Sequence, residues 1–245
     1  MIDQLPIFPL TGVVLFPSAP TVIHVFEPRY LRMVDECTAA GTRFGICLAM
    51  EAPGAEGQTE LAAVGTTAEI EVAQDLDNNQ KIIFVRGHER FRVVDYRFEE
   101  PDGLMRAEVV YFNDDPACAA AVEDDLLVAV GEQAIEHFRL LREYAGVNLS
   151  EPEWPRDPVS LSLALAAMVP FGPTQRQALL ELTDTRERLR LLHYQFARHN
   201  EILTLRQQID PVASRICASN GRLDHVQHLD PASLDRAQRR GRGDG

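Results

Sequence analysis

Leu5-Pro6-Ile7-Phe8-Pro9-Leu10-Thr11-Gly12-Val13-Val14-Leu15-Phe16-Pro17, continued by His24-Val25-Phe26-Glu27-Pro28-Arg29-Tyr30, is the stretch that decides the fold. Two short apolar strand segments, each stopped by proline, lead into an alternating third. Its Val22, His24 and Phe26 lie on one side, with Thr21, Ile23 and Val25 on the other. Proline has no N–H to give to a ladder, so Pro6, Pro9, Pro17 and Pro20 belong at sheet edges or corners. Pro28 stands where the first residue of a helix belongs, its φ already suitable. The order is strand, corner, strand, helix.

The Pro28 helix has Tyr30, Leu31, Val34 and Cys37 as its buried stripe and stops at Gly41. Phe44 to Met50 reads as a buried strand, and Glu51 to Glu60, rich in Gly, Ala, Pro and acid, as an exposed loop. Further strands are expected near 61–74, 80–86, 90–98 and 104–112. Turn signals at Asp77-Asn78-Asn79, Arg86-Gly87-His88 and Pro101-Asp102-Gly103 separate them. Short strands with such turns and one helix suggest a small, strongly curved sheet or barrel.

Around Asp114-Asp115-Pro116 the hydrophobic period changes from two to 3.6. Residues 117–146 read as one helix, with Val122, Leu126, Val130, Ala134, His137, Leu141 and Tyr144 along its face. Asn148 to Pro158, with Trp154, reads as an ordered connector, followed by helices over about 159–168 and 174–182. Asp184 caps a last helix with Glu187 three residues on. There Leu189, Leu192, Phe196, His199 and Leu203 form one seam, more in keeping with packing into its own bundle than with an intermolecular coiled coil. From Pro211 the period dissolves, and the basic end is expected to be disordered. The expected division is a β-rich unit over 1–115, a helical unit over 116–209 and a tail over 210–245.

A charged fraction of 25% and a net charge of −13 belong to an ordinary acidic globular protein, and disfavour binding to nucleic acid or anionic membrane. Lys81 is the only lysine, so any amine chemistry must use it. A solvated strand end explains that residue better. Cys37, Cys47, Cys118 and Cys217 form no CxxC pair, and no run reaches the ~20 apolar residues of a membrane span. Together with the absence of a signal-like amino terminus, this reads as a cytoplasmic protein.

Several stretches carry a family resemblance. The opening run, Phe44-Gly45-Ile46-Cys47-Leu48, Val64-Gly65-Thr66-Thr67-Ala68-Glu69-Ile70, Val85 to Val93 with its Gly-x-x-Arg-Phe, and Leu180 to Leu189 occur in sequence. In that order they resemble the Lon amino-terminal, substrate-binding domain family over about residues 3–208. The resemblance implies an α+β fold, a PUA-like pseudo-barrel of short, mostly antiparallel strands with one helix, followed by an α-helical bundle. It also implies protein recognition without chemistry. No G-x-x-x-x-G-K-[ST] phosphate loop occurs, and Lys81 within the β unit leaves no Ser–Lys dyad, so the chain reads as a free-standing recognition domain.

No G-x-S-x-G elbow is present, and no cofactor, metal or catalytic residue is expected. Cys217, His225 and His228 lack a fourth ligand and zinc-site spacing. Glu123-Asp124-Asp125 suits a helix start rather than acid–base chemistry. Glu27, Pro28, Arg29 and Tyr30 read as a structural corner, with Arg29 tying strand ends together. On the curved sheet, Arg90, Phe91, Arg92 and Tyr96 are the candidates for contact with an extended peptide. The expected function is non-enzymatic binding of unfolded or specific protein segments, as an adaptor in protein quality control working with a separate protease. A nucleic-acid-binding PUA-like protein and a small-molecule hydrolase are the alternatives.

Overall fold

A computed structural model describes residues 2–51, 59–145 and 153–220. Six strands form one sheet: β1 (Asp3–Thr11), β2 (Pro20–Val25), β3 (Phe44–Glu51), β4 (Thr59–Leu76), β5 (Gln80–Glu99) and β6 (Leu104–Tyr111). Their order is β2-β5-β4-β3-β1-β6, and a further β5–β6 pairing closes all but β2 into a ring. Helix α1 (Pro28–Ala40) packs inside the β unit. After β6 come α2 (Pro116–Ala120), α3 (Asp124–Ala145), α4 (Pro158–Met168), α5 (Pro173–Glu181) and α6 (Thr185–Asn220). The fold is mixed α+β.

The opening prolines are accommodated by a split in the pairing of β1. Asp3 to Ile7 pair with β6, whereas Ile7 to Thr11 pair in parallel with β3. Pro6 and Pro9 are an odd number of residues apart, so they present their missing N–H to opposite sides of the strand. Each can therefore face the side on which β1 has no neighbour. Gly12 to Phe16, expected as a second strand segment, instead cross as irregular chain with Val14, Leu15 and Phe16 buried. Side chains satisfy their carbonyls: Thr66 Oγ1 donates to Leu15 O at 2.7 Å and Arg176 Nη2 to Val14 O at 3.1 Å.

The turn expected at Arg86-Gly87-His88 is also overturned. β5 runs through it unbroken, with a bulge that sets His88 and Glu89 against Thr67. Thr67 Oγ1 accepts from Glu89 N at 3.0 Å and bridges the gap in the ladder. Gly87 is small because the Phe16 loop lies against it. Its N–H donates to Ala19 O at 3.0 Å, and a Cβ would sit 2.1 Å from Phe16 O. The other two turn signals hold, with Asn78, Asn79 and Gly103 at positive φ.

Helix α1 begins at Pro28 and ends on left-handed Gly41, burying Tyr30, Leu31, Met33, Val34 and Cys37. The single helix expected over 117–146 is two, broken between Ala120 and Asp124, where the three acids precede or open α3. Asp157 caps α4, and Asp184 accepts from Glu187 N at 3.0 Å to cap α6. Helix α6 continues past the expected 209/210 boundary to Asn220. Part of the 51–60 loop, the first part of the Asn148 connector, and residues 221–245 of the tail lie outside the described residues.

The helices share a core with the sheet. Val14, Phe16, Leu48, Ala62 and Val64 pack with Val130, Leu165, Leu179, Leu189 and Phe196, and Trp154 lies against the same cluster. Beside it, Asp114 bonds to Arg90, Arg188 and Thr185, all buried. Arg90 also donates to Leu180 O and Leu182 O at 2.9 and 2.7 Å, and Arg188 donates to Ser162 Oγ at 2.9 Å. One carboxylate thus joins β5, the end of β6 and α6.

Candidate functional site

The four residues expected to face a peptide separate sharply. Arg90 belongs to the buried Asp114 network, and Phe91 is fully buried with its ring over Gly45 and Gly65. A Cβ at either glycine would come within 2.7 Å of that ring. Burial removes both residues from any contact surface. Arg92 is exposed, with its guanidinium 5.2 Å from the Phe112 ring centroid. Tyr96 is exposed and has a neighbour that sequence reasoning missed, Phe98, at 5.9 Å edge to face.

A second bulge accounts for this pair. Val93 pairs with Val109 but Asp95 with Glu108, so Val94 is an extra residue and the alternation of β5 changes parity there. Tyr96 opposite Ala107 and Phe98 opposite Met105 thereby join the sheet face that carries Phe91, Ala107 and Val109. They continue that face beyond the end of the core cluster. Phe98 is 62% exposed despite its inward parity. The closely spaced Tyr96-Arg97-Phe98 was the available signal, but a period-two reading does not reveal where a bulge shifts the phase.

Around the two rings lies a groove of about 290 Å³ at the mouth of the closed sheet. Pro9, Ala49, Leu61 and Met105 supply apolar walls. The corner residues close one end. Arg29 is held by Glu27 at 2.7 Å, reaches Gly103 O at 3.4 Å and lies 4.7 Å from the Tyr30 ring centroid. Tyr30 stacks on Phe8 at 4.1 Å. Pro28 starts α1, and Arg32 one turn on binds Asp102 at 2.8 Å, so the corner is fastened to the β5–β6 turn. The groove therefore has apolar walls and a rigid polar end.

A larger concavity, about 800 Å³, lies by the end of α1. Its charged groups are engaged with protein partners: Arg43 with Glu69 at 3.1 Å and Arg106 with Glu99 at 2.7 Å. Tyr111 donates to Asp3 at 3.0 Å, and burial, with that carboxylate, pushes its hydroxyl up to about 12. That leaves fewer groups available to a ligand than the uncovered aromatic rings do.

Among the described residues the thiols and the single lysine are shifted toward their protonated forms. Burial pushes the Cys37 thiol up and that of Cys47 to about 12. Burial and nearby carboxylates likewise raise Cys118. Hydrogen bonds to Asp75 and then Asp35 raise Lys81, which favours its ammonium form. Among the described residues no group of His, Cys, Asp and Glu is arranged to hold a metal. The Cys217 side chain, His225 and His228 lie outside them. No described helix is long and apolar enough to cross a membrane.

Residues 4–198 match the model of the ATP-dependent protease La (LON) substrate-binding domain, and the chain belongs to that family. Lon protease 2 of Herpetosiphon aurantiacus is 27% identical over 210 residues, covering 84% of this chain and 25% of the relative. Lon protease of Syntrophus aciditrophicus is 29% identical over 217 residues, covering 84% and 26%. The chain thus spans about a quarter of the length of these curated relatives. The crystal structure of a Lon N-terminal domain protein from Xanthomonas campestris is similar with a TM-score of 0.56 and 28% identity, covering 78% of this chain and 96% of that one. The N-terminal domain of Mycobacterium avium complex Lon protease shares the fold, with a TM-score of 0.58 at 18% identity, covering 80% and 100%.

Proposed function

We propose that this chain is a non-enzymatic recognition module that binds unfolded or specific protein segments, and that it acts as an adaptor delivering them to a separate protease. The observation that carries this reading is the uncovered groove of Tyr96, Phe98 and Met105. An extended segment presents alternate side chains to one face, and an apolar slot with a rigid polar end suits such a ligand. Membership of a substrate-binding family supports the same reading. The β unit over 1–115 is read as the PUA-like recognition part, and the helical unit over 116–209 as its brace, sharing a core with it. Thiols at Cys37, Cys47 and Cys118, none in a disulfide, fit a reducing cytoplasm.

The test is a fluorescence-anisotropy titration of the full chain against a labelled, permanently unfolded model protein. Saturable binding is expected, weakened at least about tenfold by Tyr96→Asp with Phe98→Asp at unchanged thermal stability. Equal binding by the folded double variant, or no binding by the parent chain, overturns the reading.

A further inference from the structure

His137 on α3 is 2% exposed and meets α6 at the point where that helix changes its attachment. Before Asn200, α6 is anchored by Leu189, Leu192 and Phe196 in the main core and by Arg188 in the Asp114 network. From Glu201 to Gln207 only Leu203 is buried. Gln207 is half-buried and donates to Leu140 O at 3.4 Å. The far part of α6 is thus thinly held to α3, and His137 stands at its root.

The hydrogen bonds around His137 fix where its proton sits. Asn200 Nδ2 donates to Gln133 O at 3.0 Å and to Gln133 Oε1 at 3.1 Å, which uses both of its hydrogens. Asn200 Oδ1 is left to accept from His137 Nδ1 at 3.0 Å. In the neutral ring Nε2 then carries only a lone pair, and it is buried with no partner among the described residues. A second proton must enter at Nε2, where no acceptor meets it.

The charges around the ring offer no compensation. From α6, His199 lies 5.8 Å away edge to face, with Arg198 and Arg206 acting on it in turn, and Phe196 at 5.2 Å is apolar. From the connector between α4 and α5, Phe171 stands 6.4 Å from His199. One turn to either side on α3 are Gln133, Ala134, Leu140 and Leu141, none of them charged. Glu136 is engaged with Arg139 at 2.6 Å, and Glu201 lies about 200° around α6 from His199. Burial lowers the pKa of both histidines, opposed at His137 by the Asn200 bond. The folded state therefore favours two neutral rings, and falling pH works against it.

We propose that the His137–His199 pair is an acid-operated catch that releases α6 beyond Asn200 from α3 when both rings become charged. Two adjacent cations with no carboxylate between them repel across the α3–α6 interface, and the charged Nε2 needs water. The Asp114 network and the apolar core before Asn200 contain no histidine and stay closed. Opening uncovers Leu140 and Leu203, so the helical unit gains an apolar surface only in acid.

Hydrogen–deuterium exchange of the full chain at about pH 7 and about pH 5, each corrected for the intrinsic exchange rate, is the test. Amides of residues 201–207 should lose protection at least about tenfold at the lower pH, while those of β5 keep theirs. His137→Gln, which keeps a donor for Asn200 without a titrating ring, should blunt that loss. His199→Gln, at a half-exposed position, should do the same and decides the matter should the buried substitution prevent folding. Unchanged protection in acid, a loss spread equally over β5, or the same loss in the folded variants overturns the proposal.

Discussion

Arg188, fully buried on α6, donates to the carboxylate of Asp114, which lies just past the end of β6 at Tyr111. That carboxylate also accepts from Arg90, so two buried guanidinium groups depend on one acid. Removing the acid leaves two cations in a site that water does not reach. Asp114→Ala is expected to cost about 3–5 kcal/mol, the range for breaking a buried pair on one side. Urea denaturation measures it, and a loss under about 1 kcal/mol would show that water or rearrangement replaces the carboxylate.

Gly87 and Gly131 make a paired test of backbone crowding. Gly87→Ala must place a methyl group where Phe16 O lies 2.1 Å away, and should destabilise by about 3 kcal/mol or prevent folding. Gly131, inside α3, has nothing within 4 Å of the added methyl. There alanine should stabilise by roughly 0.5–1 kcal/mol through helix propensity. Thermal melts of both variants check the opposite signs.

Phe91 and Tyr96 should respond oppositely to truncation. Phe91→Ala empties a packed site and should cost about 3–5 kcal/mol. Tyr96→Ala removes an exposed ring and should change stability by less than about 0.5 kcal/mol. Equal losses in chemical denaturation would contradict the placement of Tyr96 on an open wall.

His137 sets a pH dependence. Burial lowers its pKa, opposed by the hydrogen bond with Asn200 at 3.0 Å and assisted by nearby His199. The folded state therefore favours the neutral imidazole. Its contribution to stability is fully present above the unfolded value of about 6.5 and is lost as pH falls through the lower folded value. The melting temperature should fall between about pH 7 and pH 5, and His137→Gln should reduce that fall. An identical pH slope in the variant would remove His137 as its source.

The sequence was most informative where one residue type answers one local demand. Pro28, Gly41 and Asp184 mark helix ends because φ, handedness and capping are local properties. Gly87 was misread because a glycine that starts a turn and one that admits another backbone look alike in a string. The bulge at Val94 was equally hidden. It depends on how β6 pairs with β5, and that same count decides whether Tyr96 and Phe98 face inward. Arg90 and Phe91 lay in the quoted motif, but their burial comes from Asp114 and the two glycines, distant in sequence.

The split pairing of β1 constrains the order in which a ribosome can complete the fold. Leu5 finds its partner Ala107 only after about 100 further residues have been made. At roughly 5–20 residues per second that is a wait of roughly 5–20 s. Until then Asp3 to Ile7 are unpaired on both sides, and Pro6 withholds an N–H from the edge that faces away from β6. The proline that leaves the finished ladder intact thus blunts the one edge of this segment that β6 never covers.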